Sequence, residues 1–91
     1  MVTAFVQHHV KDHDAWRRVY DSVADIQKAG GVVAESVYHA EDDPNIVMVS
    51  HQFSSTSAAH DFFASPALRE AMRRAGVEEE TVRIEFFEED T

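Results

Sequence analysis

Along this chain the spacing of apolar residues switches between steps of two and steps of three or four, and the order of those switches constrains the fold more than any single motif. From Thr3 to Val10 the residues alternate, with Ala4, Val6, His8 and Val10 on one side and Phe5, Gln7 and His9 on the other, which predicts a strand. Asp12 can cap the helix that follows, where Trp16, Val19, Tyr20, Val23 and Ile26 share a face and Arg17, Arg18, Asp21, Asp25 and Lys28 fall on the other. Gly30 and Gly31 end that helix. Val32 to His39 and Ile46 to Phe53 read as two strands of a hairpin joined by Glu41-Asp42-Asp43-Pro44-Asn45. Ser54 to Ser57 opens a second helical stretch through Ala64. Ser65 caps its continuation from Pro66, the continuation carries Leu68 and Met72, and Gly76 closes it. Thr81 to Phe87 is the last strand, and Glu88 to Thr91 reads as a solvated tail.

The order β-α-β-β-α-β is the ferredoxin-like, α+β arrangement. Right-handed crossovers put the first and third strands side by side in the middle, so the predicted sheet order is 4-1-3-2 with the helices on one face. Ile46-Val47-Met48-Val49 does not alternate, the pattern of a strand covered on both sides, and two helices cover only one. A second copy laid sheet against sheet is the expected cover, giving a homodimer; the other reading is a tolerated apolar patch. The 91 residues are expected to form one domain whose own core is marginal, which pairing would help.

The composition narrows the chemistry. A net charge of -9, from 17 acids against 8 Lys plus Arg, repels phosphate backbones and anionic membranes, so no nucleic-acid partner is expected. No apolar run approaches a membrane span and the opening Met-Val-Thr-Ala-Phe-Val lacks a basic leader, so the expected setting is cytoplasmic. With no cysteine, thiolate metal sites and thiol nucleophiles are excluded. With three glycines there is no phosphate loop or dinucleotide fingerprint, which disfavours nucleotide, nicotinamide and flavin chemistry.

What remains is histidine. His8 has Val6 and Val10 as same-face neighbours, and His51 has Val47, Val49 and Phe53. If the two faces coincide, the rings are expected roughly 5 to 8 Å apart by Cβ. Burial favours the neutral imidazole that a general base needs; the plainer reading is a pair of hydrogen-bonded structural histidines. Trp16, Tyr20, Phe53, Phe62 and Phe63 are core residues first and candidate walls for a flat aromatic ligand second. The Tyr20 phenol wants a partner and could bond a substrate oxygen. His8-His9-x-x-Asp12-His13-Asp14 invites a metal, but His8 and His9 point to opposite faces, so no metal site is expected. His39 and His60 read as exposed.

Phe5-Val6-Gln7-His8-His9-Val10 running into Asp14-Ala15-Trp16-Arg17-Arg18-Val19-Tyr20-Asp21 resembles the small dimeric α+β barrel proteins grouped with antibiotic-biosynthesis monooxygenases, members often loosely labelled cyclase. Asp42-Asp43-Pro44-Asn45, His51-Gln52-Phe53 and the stretch from Ser65-Pro66 to Gly76-Val77 are similar to the same group. The resemblance implies a two-fold dimer with pockets between helices and sheet. It also implies, as the leading reading, cofactor-independent oxygenation of a phenolic or polyketide-like aromatic, with His8 or His51 as base. Haem degraders of the group pair an Asn on the first strand with a Trp on the third; here Gln7 stands on the first and the third has no Trp, so no cofactor is expected. The alternatives are a cyclase or isomerase without oxygen, a non-catalytic dimer holding a small hydrophobic ligand, and a structural protein whose cavities stay below the ~300 Å³ typical of ligand sites.

Overall fold

A computed structural model describes residues 1–90. Its elements are β1 (Val2–His9), α1 (His13–Ser22), α2 (Ala24–Ala29), β2 (Val32–Ala40), β3 (Asp43–Phe53), α3 (Thr56–Ala64), α4 (Pro66–Arg74) and β4 (Arg83–Glu88), with a 3₁₀ turn at Glu79–Thr81. The strands form one antiparallel sheet in the order β2-β3-β1-β4, the predicted 4-1-3-2 read from its other edge. The fold is α+β and ferredoxin-like. Glu88 belongs to β4 instead of the predicted tail, and Thr91 lies outside the described residues.

The first predicted helix is two. At Val23 the backbone leaves helical geometry and its N–H bonds the Tyr20 carbonyl, three residues back, while the Ser22 hydroxyl bonds the Val19 carbonyl. Such local bonds offer the chain an exit from the helical ladder, and apolar spacing does not register them. The Asp12, Ser55 and Ser65 caps each accept a backbone N–H, from Asp14, Ala58 and Leu68 respectively. Gly76 ends the second helical layer with φ +79, a conformation that glycine takes without steric cost. The hairpin is tighter than predicted: Ala40 already pairs with Asp43, leaving Glu41-Asp42 as the turn. No non-glycine residue has positive φ among the described residues, so this is not a type I′ turn, and a register shift between His39 and Ala40 absorbs the mismatch in twist.

The alternation of β1 is realised as read. Val2, Ala4, Val6 and His8 are buried under the helices with Val47, Val49, His51 and Phe53 of β3. Packing divides into a cluster around Val10, Trp16, Val47, Val49, Ala75 and Val77 and another around Val2, Ala4, Phe53, Ala59 and Phe62. Gly30 sits against the second cluster so closely that a Cβ there would run into the Phe62 ring. The opposite face of the sheet carries Thr3, Phe5 and Gln7 beside Met48, Ser50 and Phe87, all half-buried or exposed. Among the described residues, no helix is long and apolar enough to cross a membrane.

Candidate functional site

Both candidate histidines lie on the helix-covered face, and neither lies on the open one. In the β1/β3 register Ala4 faces His51 and His8 faces Val47, an offset of four residues. At ~3.3 Å per residue this separates the rings' anchor points by about 13 Å along the strands, so the expected 5 to 8 Å spacing is overturned. Side-chain alternation fixes the face, whereas the register depends on where each strand starts to pair.

Helix α1 bridges the gap. Trp16 and Tyr20, one turn apart, stack with ring centroids 5.0 Å from each other. Trp16 lies 5.9 Å from His8, and Tyr20 lies 6.4 Å from His51 in a parallel stack. On the far side of His51 come Phe62 at 5.5 Å and Phe63 at 5.9 Å. The result is a continuous row of rings with an imidazole near each end. These residues line a cavity of about 50 Å³ between sheet and helices, completed by Val49, Gln27 and Met72 among others. Phe53 is fully buried behind His51, 6.4 Å away, and does not reach the cavity wall.

His8 is 4% and His51 5% exposed, and none of their four ring nitrogens has a hydrogen-bond partner among the described residues. A buried polar group left unpaired costs about 1–3 kcal/mol, and such groups are few in native structures. Among the described residues, no protein group supplies the hydrogen bonds expected of structural histidines. Burial lowers both to about 4, helped at His8 by the neighbouring His9 and opposed at His51 by Glu35. Both rings are neutral at pH 7 and offer a free lone pair to whatever enters.

Tyr20 is already committed. Its hydroxyl donates to Glu35 Oε1 at 2.5 Å, and burial, with that bond, pushes the phenol up. Sequence reasoning missed Glu35; the available signal was the alternation of β2, which places it on the same face as Val37, though exposed at the sheet edge. Of the run from His8 to Asp14, His8 points inward and His9 outward, while His13 meets Asp14 at 3.3 Å and stacks edge-on to His39 at 5.5 Å. Among the described residues no group of acids and histidines is arranged to hold a metal ion. His60 is exposed and lies over Phe86.

A second concavity of about 260 Å³ lies outside α4, between Arg69 and Arg73 on that helix and Val82 and Ile84 at the start of β4. Phe63, Leu68 and Met72 line both spaces and form the wall between them.

No protein-family model matches the chain, and no curated protein does. Solved structures match over nearly its whole length. A cofactor-independent oxygenase of Streptomyces nogalater, SnoaB, superposes with a TM-score of 0.81 at 15% identity, covering 99% of this chain and 93% of that one. An antibiotic biosynthesis monooxygenase superposes at 0.77 with 11% identity over 100% of both chains. The Rv0793 protein of Mycobacterium tuberculosis superposes at 0.70 with 16% identity, covering 100% of this chain and 97% of that one. The likeness read from the sequence is thus found in the fold, and at these identities it speaks for the fold alone.

Proposed function

We propose that the chain is a small homodimeric, cytoplasmic enzyme that deprotonates a phenolic or polyketide-like aromatic and oxygenates it without a cofactor. The observation that carries this reading is the pair of buried imidazoles, neutral and without hydrogen-bond partners, facing an aromatic-lined cavity. A neutral ring nitrogen takes a proton from an acidic ring position, and the electron pair stays on the substrate as a delocalised anion. That anion is electron-rich enough to reduce oxygen. Insertion into a CH₂ position gives a hydroperoxide, which loses water to leave a carbonyl, so one oxygen atom enters the product and the other departs as water. The described neighbours include a cofactor-independent oxygenase, which supports this chemistry by likeness of fold. Trp16, Tyr20, Phe62 and Phe63 would flank the ring and keep water from the anion.

The homodimer rests on the open sheet face, where Phe87 and Tyr38 are 53% and 57% exposed and Phe5 packs edge-on to Phe87. Because both histidines lie under the helices, each subunit would hold a complete set of these groups. Sedimentation at micromolar concentration is expected to give a dimer, and Phe5→Glu is expected to give a folded monomer.

Oxygen uptake with anthrone-type or hydroquinone substrates tests the chemistry. Of His51→Ala and His8→Ala, the one that removes the base is expected to slow it about 10²-fold or more, the usual contribution of a positioned base; equal rates in wild type and both variants would remove the assignment. A cyclase or isomerase would use the same proton transfer without consuming oxygen, and product analysis separates the two. The size of the two spaces favours a second reading, the structural protein whose cavities stay below ligand-site volume. About 50 Å³ admits a few waters or one ring substituent, well under the ~300 Å³ of common ligand sites. A ring enters only if Phe63, Leu68 and Met72 swing aside and join the cavity to the outer groove. Native mass spectrometry that finds no retained small molecule, with no turnover, would favour that structural reading, and a retained molecule without turnover would favour a non-catalytic dimer holding a small hydrophobic ligand.

A further inference from the structure

The two histidines share burial and the lack of hydrogen-bond partners, yet their electrostatic surroundings differ. Around His51 stand Tyr20 from α1, Phe53 on its own strand, Phe62 and Phe63 from α3, Ala4 opposite on β1, and Glu35 opposite on β2. Glu35 is the one charged group in that set. Around His8 stand Trp16 from α1, Val47 opposite on β3, and His9 next in sequence, and none of these carries a carboxylate. A carboxylate beside an imidazole favours the imidazolium, and a second imidazole disfavours it.

Glu35 is also tied in place. It is the cross-strand partner of His51 on the helix-facing side, and it accepts the hydroxyl of Tyr20, whose ring stacks on His51. Three groups from α1, β2 and β3 are thereby held together at one end of the cavity. An exposed glutamate normally samples many rotamers, and the phenol bond restrains this one.

We infer that Glu35 is a positioning residue that makes His51, and not His8, the proton acceptor of the site, by holding a negative charge beside it and fixing the Tyr20 ring against it. This deepens the proposed proton abstraction and rests on that reading for its catalytic meaning. The substrate's acidic proton passes to a ring nitrogen of His51, the bonding pair stays with the substrate, and the new imidazolium is stabilised by the Glu35 carboxylate. His8 then serves as a neutral hydrogen-bonding group at the other end of the row.

The test is an NMR titration of the imidazole signals of His8 and His51 in wild type, Glu35→Gln and Glu35→Asp, with circular dichroism to verify folding. Glu35→Gln keeps an acceptor for Tyr20 and removes the charge. It is expected to lower the His51 midpoint by about half a unit or more and to leave His8 unmoved, and Glu35→Asp is expected to restore part of the shift. Because Glu35 is exposed, about 0.5 M NaCl in the wild type should also lower His51 relative to His8, a readout that needs no variant. A His51 midpoint that stays put in both Glu35→Gln and salt, or that moves only as far as His8, would overturn the inference. The titration needs no substrate, so it is decided separately from oxygen uptake. Where the wild type turns over, Glu35→Gln is expected to cut kcat about fivefold with KM held and to move the acid limb of the kcat profile down. A kcat loss with both midpoints in place would show a merely structural role.

Discussion

Strands β1 and β3 present two faces made from the same few turns of chain, and the faces obey different rules. Under the helices, Ala4, Val47 and Phe53 are fully buried, and the polar exceptions, His8 and His51, have no hydrogen-bond partner. On the other face, Phe5, Met48 and Phe87 stand among Thr3, Gln7, Ser50 and Gln52, where every polar side chain can reach water. An unpaired polar group is costly only where water is excluded. The proposed chemistry therefore belongs to the helix side, and the proposed association to the open side. The contrast also separates two jobs that could have been fused, since the proposed catalytic groups do not depend on the face that a second copy would cover.

The largest expected effect breaks the comparison directly. Phe53→Ala leaves a void in a closed core and is expected to cost about 3–5 kcal/mol, whereas Phe87→Ala on the open face should cost under about 1 kcal/mol in the monomer. Urea denaturation of both variants, at a concentration where any dimer has dissociated, measures the difference. Similar losses would mean that the open face is as tightly packed as the covered one.

Acid sensitivity sharpens the same contrast. Both histidines titrate at about 4 in the folded chain against 6.5 for an ordinary imidazole, so between those values the unfolded chain binds more protons. Stability from this source is complete above about pH 6.5 and falls as pH drops toward 4, by on the order of 3 kcal/mol for each ring. Denaturation midpoints at pH 7 and pH 5 should show about half of that loss. In the double variant His8→Leu, His51→Leu the pH dependence should shrink. The variant should also be as stable as wild type at pH 7 or more so, because two unpaired buried rings are gone. A loss of stability at pH 7 would mean that the imidazoles are held by bonds to ordered water.

A smaller effect concerns the wall of the cavity. Gly30→Ala drives a methyl group into Phe62 and is expected to cost about 1–3 kcal/mol through overpacking. Thermal unfolding measures it. Gly31→Ala meets only ordinary contact with Ala58, and its cost should come from φ +92 alone.

Much of the fold was legible in the sequence because it is written in local periodicity. The alternation of Ala4, Val6 and His8 and the caps at Asp12 and Ser65 each depend on a few neighbouring residues, and each was found where expected. The break at Val23 was not legible, since the apolar face of the first helix runs across it without a missed step. The site was legible in part. His8, His51, Trp16, Tyr20, Phe62 and Phe63 do meet at one cavity, Phe53 does not line it, and Glu35 went unread because an exposed acid on an edge strand looks like any solvated one.

Residue pattern alone determined which side chains share a face, the order of the strands, and that the sequence has no cysteine and no glycine-rich phosphate-loop motif. Only the tertiary structure decided the distance between the histidines, the commitment of Tyr20 to Glu35, and the placement of the imidazoles under the helices. The division has a physical cause. Direction along a strand or helix is a local property of the backbone, while register and the pairing of a phenol with a carboxylate arise when segments distant in sequence pack together.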